Sequence, residues 1–508
     1  MVGVLKRIFN FKFTKKKIVL FICFSFLIIL SYIPLFHNLS GPSIFRFDEV
    51  YYATNSVETT LNNNFIVLTE NDTVSNYNTK PPFVIWTQSF LMRIIGINEW
   101  SVRLPSAFAA FIIVIALFFF SVKLFQSKIM GFAAALVFLT SDGFITWHVE
   151  RTGDLDAMLS MWLFLYCIVF IKFLITEDEN YKSLFYQMAF LVIMAFLSKS
   201  IGGFMMLPGI IICALISRKR KKILSNPHLY YSVLLTITIC SLYYILREAL
   251  APGFLKLVWG SEVLRFNQNV MPWHEHPFLW FIDRFIHETY KPYIFIIPFA
   301  IILGLVYPDK RIKLTVLFLT ICILTYLFLI SYPIDKCEWY DAPLYSYFAL
   351  LVGILFYCIY QYLKMITRKK RIIAELLITL IIILSFILPY LSMYNKIEKF
   401  GKNYDINDYE SIYAKKLTDE KYKINYTVFY KPTQLANPYQ VNFYRKANKY
   451  NNGIIINIYD TLSQIKINDT LMVCQIDKKD SLNKYFQTEI IDNWNDCSLL
   501  VVKKSRGK

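Results

Sequence analysis

The chain has 508 residues, 56% of them hydrophobic and 18% charged, against roughly 25% charged in a soluble domain. With a mean hydropathy of +0.43, this excludes a soluble enzyme, a disordered chain and a disulfide scaffold, and points to a polytopic membrane protein with one less hydrophobic part. The formal net charge of +18 sits mostly in basic clusters beside apolar runs, where Lys and Arg hold loops on the cytoplasmic side. No Gly-rich phosphate loop, zinc-finger spacing or nucleic-acid motif accompanies it, so no nucleic-acid partner is expected. The nine cysteines form no CxxC pairs, which argues against a metal cluster.

A transmembrane helix needs about 20 mostly apolar residues. The first such run, 18-36, follows Lys6, Arg7, Lys12, Lys15, Lys16 and Lys17. It is long for a signal peptide and no small-residue cleavage site follows, so it reads as a retained span with a cytoplasmic N-terminus. Further runs at 103-124, 129-147, 157-175, 184-200, 202-217, 229-248, 291-307, 312-332, 342-363 and 372-392 bring the total to eleven. Alternating sides puts Arg218–Lys222, Lys310, Arg311, Lys313 and Arg368–Arg371 inside, as the positive-inside rule requires. The same alternation puts 37-102, 148-156, 249-290 and 333-341 outside.

From about residue 393 the composition turns to Asn, Lys, Asp and Tyr with short β-branched runs, reading as an α/β domain of about 115 residues. It holds Cys474 and Cys497; an oxidising compartment would favour their pairing, but spacing alone leaves it open. The expected fold is therefore a polytopic α-helical membrane protein of about 11–13 transmembrane helices, with interfacial helices in the first outer loop. The expected domains are a transmembrane domain, 1-392, and an outer C-terminal domain, 393-508.

The outer segments carry the chemistry. Asp48 and Glu49 follow the first span, where a carboxylate can act as general base or simply favour a helix N-terminus. In Thr79-Lys80-Pro81-Pro82 the prolines suit a helix start, and Lys80 beside it can bind an anion or snorkel. Arg103 and Pro105 set the entry to the second span. His148, Glu150, Arg151, Asp154 and Asp156 cluster between two apolar helices, where charge is costly and often functional. Arg265 can fork onto a phosphate. His274, Glu275 and His276 contain metal-ligating types, but the i,i+2 histidine spacing suits one helical face poorly, so solvated loop residues are the simpler reading. Tyr340 can donate to a phosphate or belong to an interfacial aromatic belt. Lys199, at the end of a span, is a further anion contact or a snorkelling lysine.

Taken in order, Asp48-Glu49, Lys80-Pro81-Pro82, Arg103-Leu-Pro105-Ser106, Leu155-Asp156, Arg265-Phe266 and Trp339-Tyr340 resemble the membrane glycosyltransferases of the aminoarabinose-transferase and protein O-mannosyltransferase kind, with the C-type fold. The resemblance covers about residues 15-392. It implies Asp48, with Glu49 beside it, as the catalytic carboxylate, and Asp156 as a second acidic residue. It implies Lys80, Arg265 and Tyr340 as groups holding the donor phosphate. Asp154, Arg151, Lys199 and His276 are accessory candidates. One departure stands out: those enzymes carry Glu before Lys-Pro-Pro, where this chain has Thr79. An aminoarabinose donor and a zinc site there are thus both in question, and no cofactor is certain, although a divalent metal is possible.

The implied partners are a polyprenyl-phosphate sugar, a lipid or protein acceptor, and membrane lipids. The implied reaction is inverting transfer of one sugar at the outer face of a bacterial cytoplasmic membrane. A transporter or lipid flippase is the alternative from another class, disfavoured by the absence of an evident repeat. A ligase or oligosaccharyl transferase using a pyrophosphate-linked donor shares the outer-loop logic.

Overall fold

The computed structural model describes residues 15–176, 180–264, 272–367, 370–400, 409–419, 424–429, 439–474 and 476–506. Arg265 lies outside them. Among the described residues, eight helices are long and apolar enough to cross a membrane, or nine if a pair bent by 114° counts as one span. Most coincide with predicted runs. These are α1 (Lys15–Leu35), α4 (Glu99–Phe125), α6 (Asp156–Ile175), α7 (Tyr181–Lys199), α9 (Pro227–Leu250), α11 (Lys310–Ser331), α12 (Leu344–Ile366) and α13 (Arg371–Phe400). The run at 291-307 is the second limb of the bent pair and ends in α10 (Ile297–Val306).

The runs at 129-147 and 202-217 form shorter helices, α5 (Lys128–Leu139) and α8 (Leu207–Ile216). Twelve residues rise about 18 Å, short of the roughly 30 Å hydrocarbon thickness. The reason is visible for α5. Apart from its first turn and Phe132 it is buried throughout, in the middle of the bundle against α4 and α12, and ends at Thr140 in a polar loop. A helix wrapped in protein has no lipid thickness to match.

Two helices of the first outer loop were anticipated and are present. α2 (Asp48–Asn62) opens with both acids in its first turn, where the helix dipole favours them. α3 (Phe83–Ile95) starts directly after Pro81 and Pro82. A two-residue hairpin, β1 (Thr69–Glu70) with β2 (Thr73–Val74), lies between them. α4 then begins with a reciprocal cap between Asn98 and Ser101.

The C-terminal part is a five-stranded mixed sheet with three helices, α14 (Tyr409–Asp419), α15 (Tyr439–Asn452) and α16 (Ile476–Tyr485). Its strands β3 (Tyr426–Phe429), β4 (Ile456–Tyr459), β5 (Thr470–Val473), β6 (Phe486–Trp494) and β7 (Cys497–Ser505) are ordered β4-β3-β5-β7-β6. β3 runs parallel to β4 and β5, while β7 is antiparallel to β5 and β6. Cys474 and Cys497 are disulfide-bonded, joining the end of β5 to the start of β7.

The boundary expected at 392 falls inside α13, which runs on to Phe400. The last turns are polar and held by ion pairs: Lys396 pairs with Asp142 at 3.2 Å and Glu398 with His37 at 2.7 Å. The C-terminal sheet and helices do not stand apart. Ile44, Val50, Ala53, Val57, Met92, Ile97 and Val102 share one hydrophobic core with Tyr413, Tyr444, Met472 and Leu499.

Candidate active site

The segments expected on the outer side, far apart in sequence, meet at one end of the bundle. Lys80, Asp156, Lys199 and Tyr340 line a single cavity with Ser261, Glu262, Tyr326 and Asp335. Its other wall is apolar, from Leu159, Ile201, Met205, Leu329, Ile330 and Pro333. Asp156 is the first residue of α6 and Lys199 the last of α7, so two antiparallel helices deliver them side by side. Lys199 Nζ reaches the two Asp156 oxygens at 2.5 and 2.6 Å and lies 5.4 Å from the Tyr340 ring centre. Lys80 Nζ pairs with Glu262 Oε1 at 2.9 Å. Thr79 donates to the same oxygen at 3.2 Å, and Ser200 to the other.

The lysines were expected as cations awaiting a phosphate. Each instead is neutralised by a carboxylate, because a buried charge without a partner is costly. Glu262 was not singled out in the sequence. The signal for it was the departure at Thr79: a lysine that lacks the adjacent acid needs one from elsewhere, and the third outer segment supplies it.

A second cluster adjoins this cavity. Asp48 accepts a hydrogen bond from Tyr77, whose ring stacks on Tyr51 with centroids 4.0 Å apart. His148 stacks on Trp339 at 3.9 Å and faces Asp154 at 3.6 Å, beyond hydrogen-bond reach. Burial works against His148 and Asp154 being charged, but their mutual attraction outweighs it. The histidine is raised and the aspartate lowered from their usual values. Asp48, Asp154 and Asp156 all bear electrostatically on Tyr52, which burial first and these acids second hold neutral. Trp339 and Tyr340 sit on one short turn, so the fourth outer segment joins the acidic cluster to the cation-bearing cavity. Phe47, just before Asp48, is held at φ 62°, a strained conformation for a phenylalanine.

One ligand atom each from Asp48, His148 and Asp154 lies within 4.8 Å of the others. Asp154 Oδ1 and His148 Nδ1 are buried without a hydrogen-bond partner. This donor set fits a divalent cation, which would satisfy both atoms.

Three sequence candidates take other parts. Glu49 is fully engaged in the protein. It receives Arg103 Nε at 2.7 Å and Nη2 at 3.0 Å, the Phe45 amide at 2.7 Å and the Gly153 amide at 2.9 Å. These four donors occupy both its oxygens and tie the first turn of α2 to Arg103, Phe45 and Gly153. Arg151 is buried beneath the site, donating to the carbonyls of Pro34 and His37 at 3.3 and 2.8 Å. His276 stacks on Trp280 at 3.8 Å, away from this cavity's lining. Gly153 is required for close approach, since a Cβ there would lie 2.3 Å from Val102.

Residues 79–244 match the family model of dolichyl-phosphate-mannose-protein mannosyltransferases. The chain superposes on ArnT from Cupriavidus metallidurans, solved bound to undecaprenyl phosphate, with a TM-score of 0.65 at 13% identity, covering 95% of this chain and 97% of that one. The fold is that of ArnT. The resemblance read from motif order is thereby borne out. YycA of Bacillus subtilis, which carries the provisional name of a mannosyltransferase, is 31% identical over 148 residues, 28% of this chain and 21% of its own length. The undecaprenyl phosphate-alpha-4-amino-4-deoxy-L-arabinose arabinosyl transferase of Erwinia tasmaniensis is 29% identical over 116 residues, 23% of this chain and 20% of its own. The chain thus spans about a fifth of the curated relatives it matches.

Proposed function

We propose that this ArnT-like chain is an inverting glycosyltransferase that moves a single sugar from a polyprenyl-phosphate donor to an acceptor hydroxyl. The supporting observation is the shared cavity: Lys80, Asp156, Lys199 and Tyr340, from separate segments, line a space whose other wall is apolar. A prenyl phosphate has that two-sided character. The match to a lipid-phosphate mannosyltransferase family agrees with it.

The acceptor oxygen attacks the anomeric carbon from the face opposite the phosphate. The bond from that carbon to the phosphate oxygen breaks, and its electron pair leaves with the phosphate. The acceptor proton passes to the Asp48 carboxylate. Lys80 and Lys199 exchange part of their pairing with Glu262 and Asp156 for the departing anion, and Tyr340 donates to it. Arg265 is a further phosphate contact on sequence grounds. A divalent cation held by Asp48, His148 and Asp154 would supply positive charge beside the same anion. Acceptor candidates are a lipid A-like glycolipid, a glycan or a protein hydroxyl. The disulfide favours an oxidising compartment for the C-terminal domain, hence the outer face of a bacterial cytoplasmic membrane.

The test is single-turnover transfer from a polyprenyl-phosphate sugar, comparing wild type with Asp48→Asn. A fall of about 10²–10⁴-fold is expected with the fold retained. Equal rates would remove Asp48 from its role. Labelled lipid crossing vesicles without a glycosylated product would refute the transferase reading itself.

A further inference from the structure

We propose that His274, Asp335 and Cys337 form a zinc site that clamps the third outer segment to the fourth, separate from the Asp48 cluster and independent of the transferase reading. One ligand atom from each lies within 4.8 Å of the others. His274 Nδ1 is 3.3 Å from Asp335 Oδ1 and 3.7 Å from Cys337 Sγ. Tetrahedral zinc, with bonds of about 2.0–2.3 Å to N, O and S, requires separations of about 3.4 Å and about 3.6 Å between such ligands. Both separations from His274 therefore match those a zinc ion would impose, and the third pair lies within 4.8 Å.

The backbone explains why they meet. Glu275 and Asp335 form an isolated antiparallel bridge. The Lys336 amide donates to the His274 carbonyl at 2.8 Å, and the His276 amide to the Ile334 carbonyl at 3.3 Å. Residues 60 apart are thus held in register, and the ligands come from both sides. Burial completes the site: Cys337 is 2% exposed and the Asp335 carboxyl fully buried, while the His274 side chain keeps 23% exposure, which leaves room for a water as fourth ligand.

The donor chemistry selects the metal. A thiolate, an imidazole and a carboxylate suit zinc, whereas calcium and magnesium prefer oxygen alone. Binding converts the Cys337 thiol to thiolate and releases its proton. Histidine spacing in the sequence argued against a site on this segment. That argument concerned His274 with His276, and the partners of His274 come instead from a segment 60 residues on. Asp335 also lines the cavity described above, so the ion would fix one rim of it.

The experiment uses the full-length protein in detergent, stripped of metal and titrated with Zn²⁺ or Co²⁺. One thiolate-ligated ion per chain is expected, distinct from any ion taken up by the Asp48, His148 and Asp154 cluster. The cobalt form should show visible bands of tetrahedral geometry and a near-ultraviolet thiolate-to-cobalt charge-transfer band. Cys337→Ser should abolish that band, and His274→Ala should weaken binding by more than about 100-fold, beyond the loss typical of a supporting residue. Asp335→His keeps a ligand and should keep the band, which guards against variants that misfold. Asp48→Asn should leave the band unchanged. Cobalt uptake by wild type without a thiolate band, or a thiolate band undiminished in Cys337→Ser and His274→Ala, would overturn the proposal.

Discussion

Asp156 and Lys199 face each other with side chains only 5% and 14% exposed. Removing the cation leaves a buried carboxylate without its partner, which costs about 3–5 kcal/mol. Lys199→Met should therefore lower the thermal midpoint in detergent, and Asp156→Asn in the same background should restore much of it. Glu150 behaves differently. Both its oxygens are buried without a hydrogen-bond partner, and burial, only partly offset by Arg151, pushes it up to about 8. A folded-state value above the unfolded one, about 4.3 for Glu, means that the folded chain holds the extra proton. The contribution of Glu150 to stability is then greatest below about pH 4.3, where both states are protonated, and falls as pH rises toward 8. Glu150→Gln should flatten that dependence in unfolding measured between pH 5 and pH 8.5. At this scale the sequence named Asp48, Lys80, Asp156, Lys199 and Tyr340, because charges next to apolar runs are conspicuous. It could not show that Lys80 is paired, since its partner Glu262 lies about 180 residues on.

The Glu49–Arg103 pair binds α2 to the start of α4, and the Arg103 guanidinium also donates to the carbonyls of Leu39, Pro42 and Ser43 at 2.7–2.9 Å. One arginine thus gathers the chain between the first span and α2. Glu49→Gln keeps the shape but breaks a buried ion pair, so it should destabilise the protein by about 3–5 kcal/mol. The loss would appear in detergent unfolding and in faster proteolysis of the first outer loop, before any assay of transfer. An unchanged unfolding midpoint would count against this role. Helix positions were legible because apolar runs and caps are local signals. Spanning length was not: α5 is as apolar as its neighbours, and only its burial among them permits twelve residues. The bonding of Glu49 was illegible for a related reason. Its type and place match a reacting acid, and its four donors come from loops whose convergence no local pattern announces.

Seen whole, the molecule does not divide where its composition does. The helix expected to end at 392 continues, and the C-terminal sheet completes a hydrophobic core begun by α2, α3 and the start of α4. Tyr444 donates to Glu99 at 2.6 Å, and Asn451 bonds both the amide and the carbonyl of Ile97 at 3.0 and 2.8 Å. A chain ending at residue 400 should therefore do more than lose a tail. It exposes Val50, Ala53 and Val57 on the helix that carries Asp48. Limited proteolysis within 48–98 should rise several-fold; equal resistance would show the tail to be dispensable for that helix.

Because one face of α2 is seated against the C-terminal core while its first turn holds Asp48, the two cannot be inherited or exchanged separately. A chimera that borrows another tail has to borrow the matching apolar residues of the loop with it. Any tuning of what approaches Asp48 through that tail is transmitted by the seating of a single fifteen-residue helix.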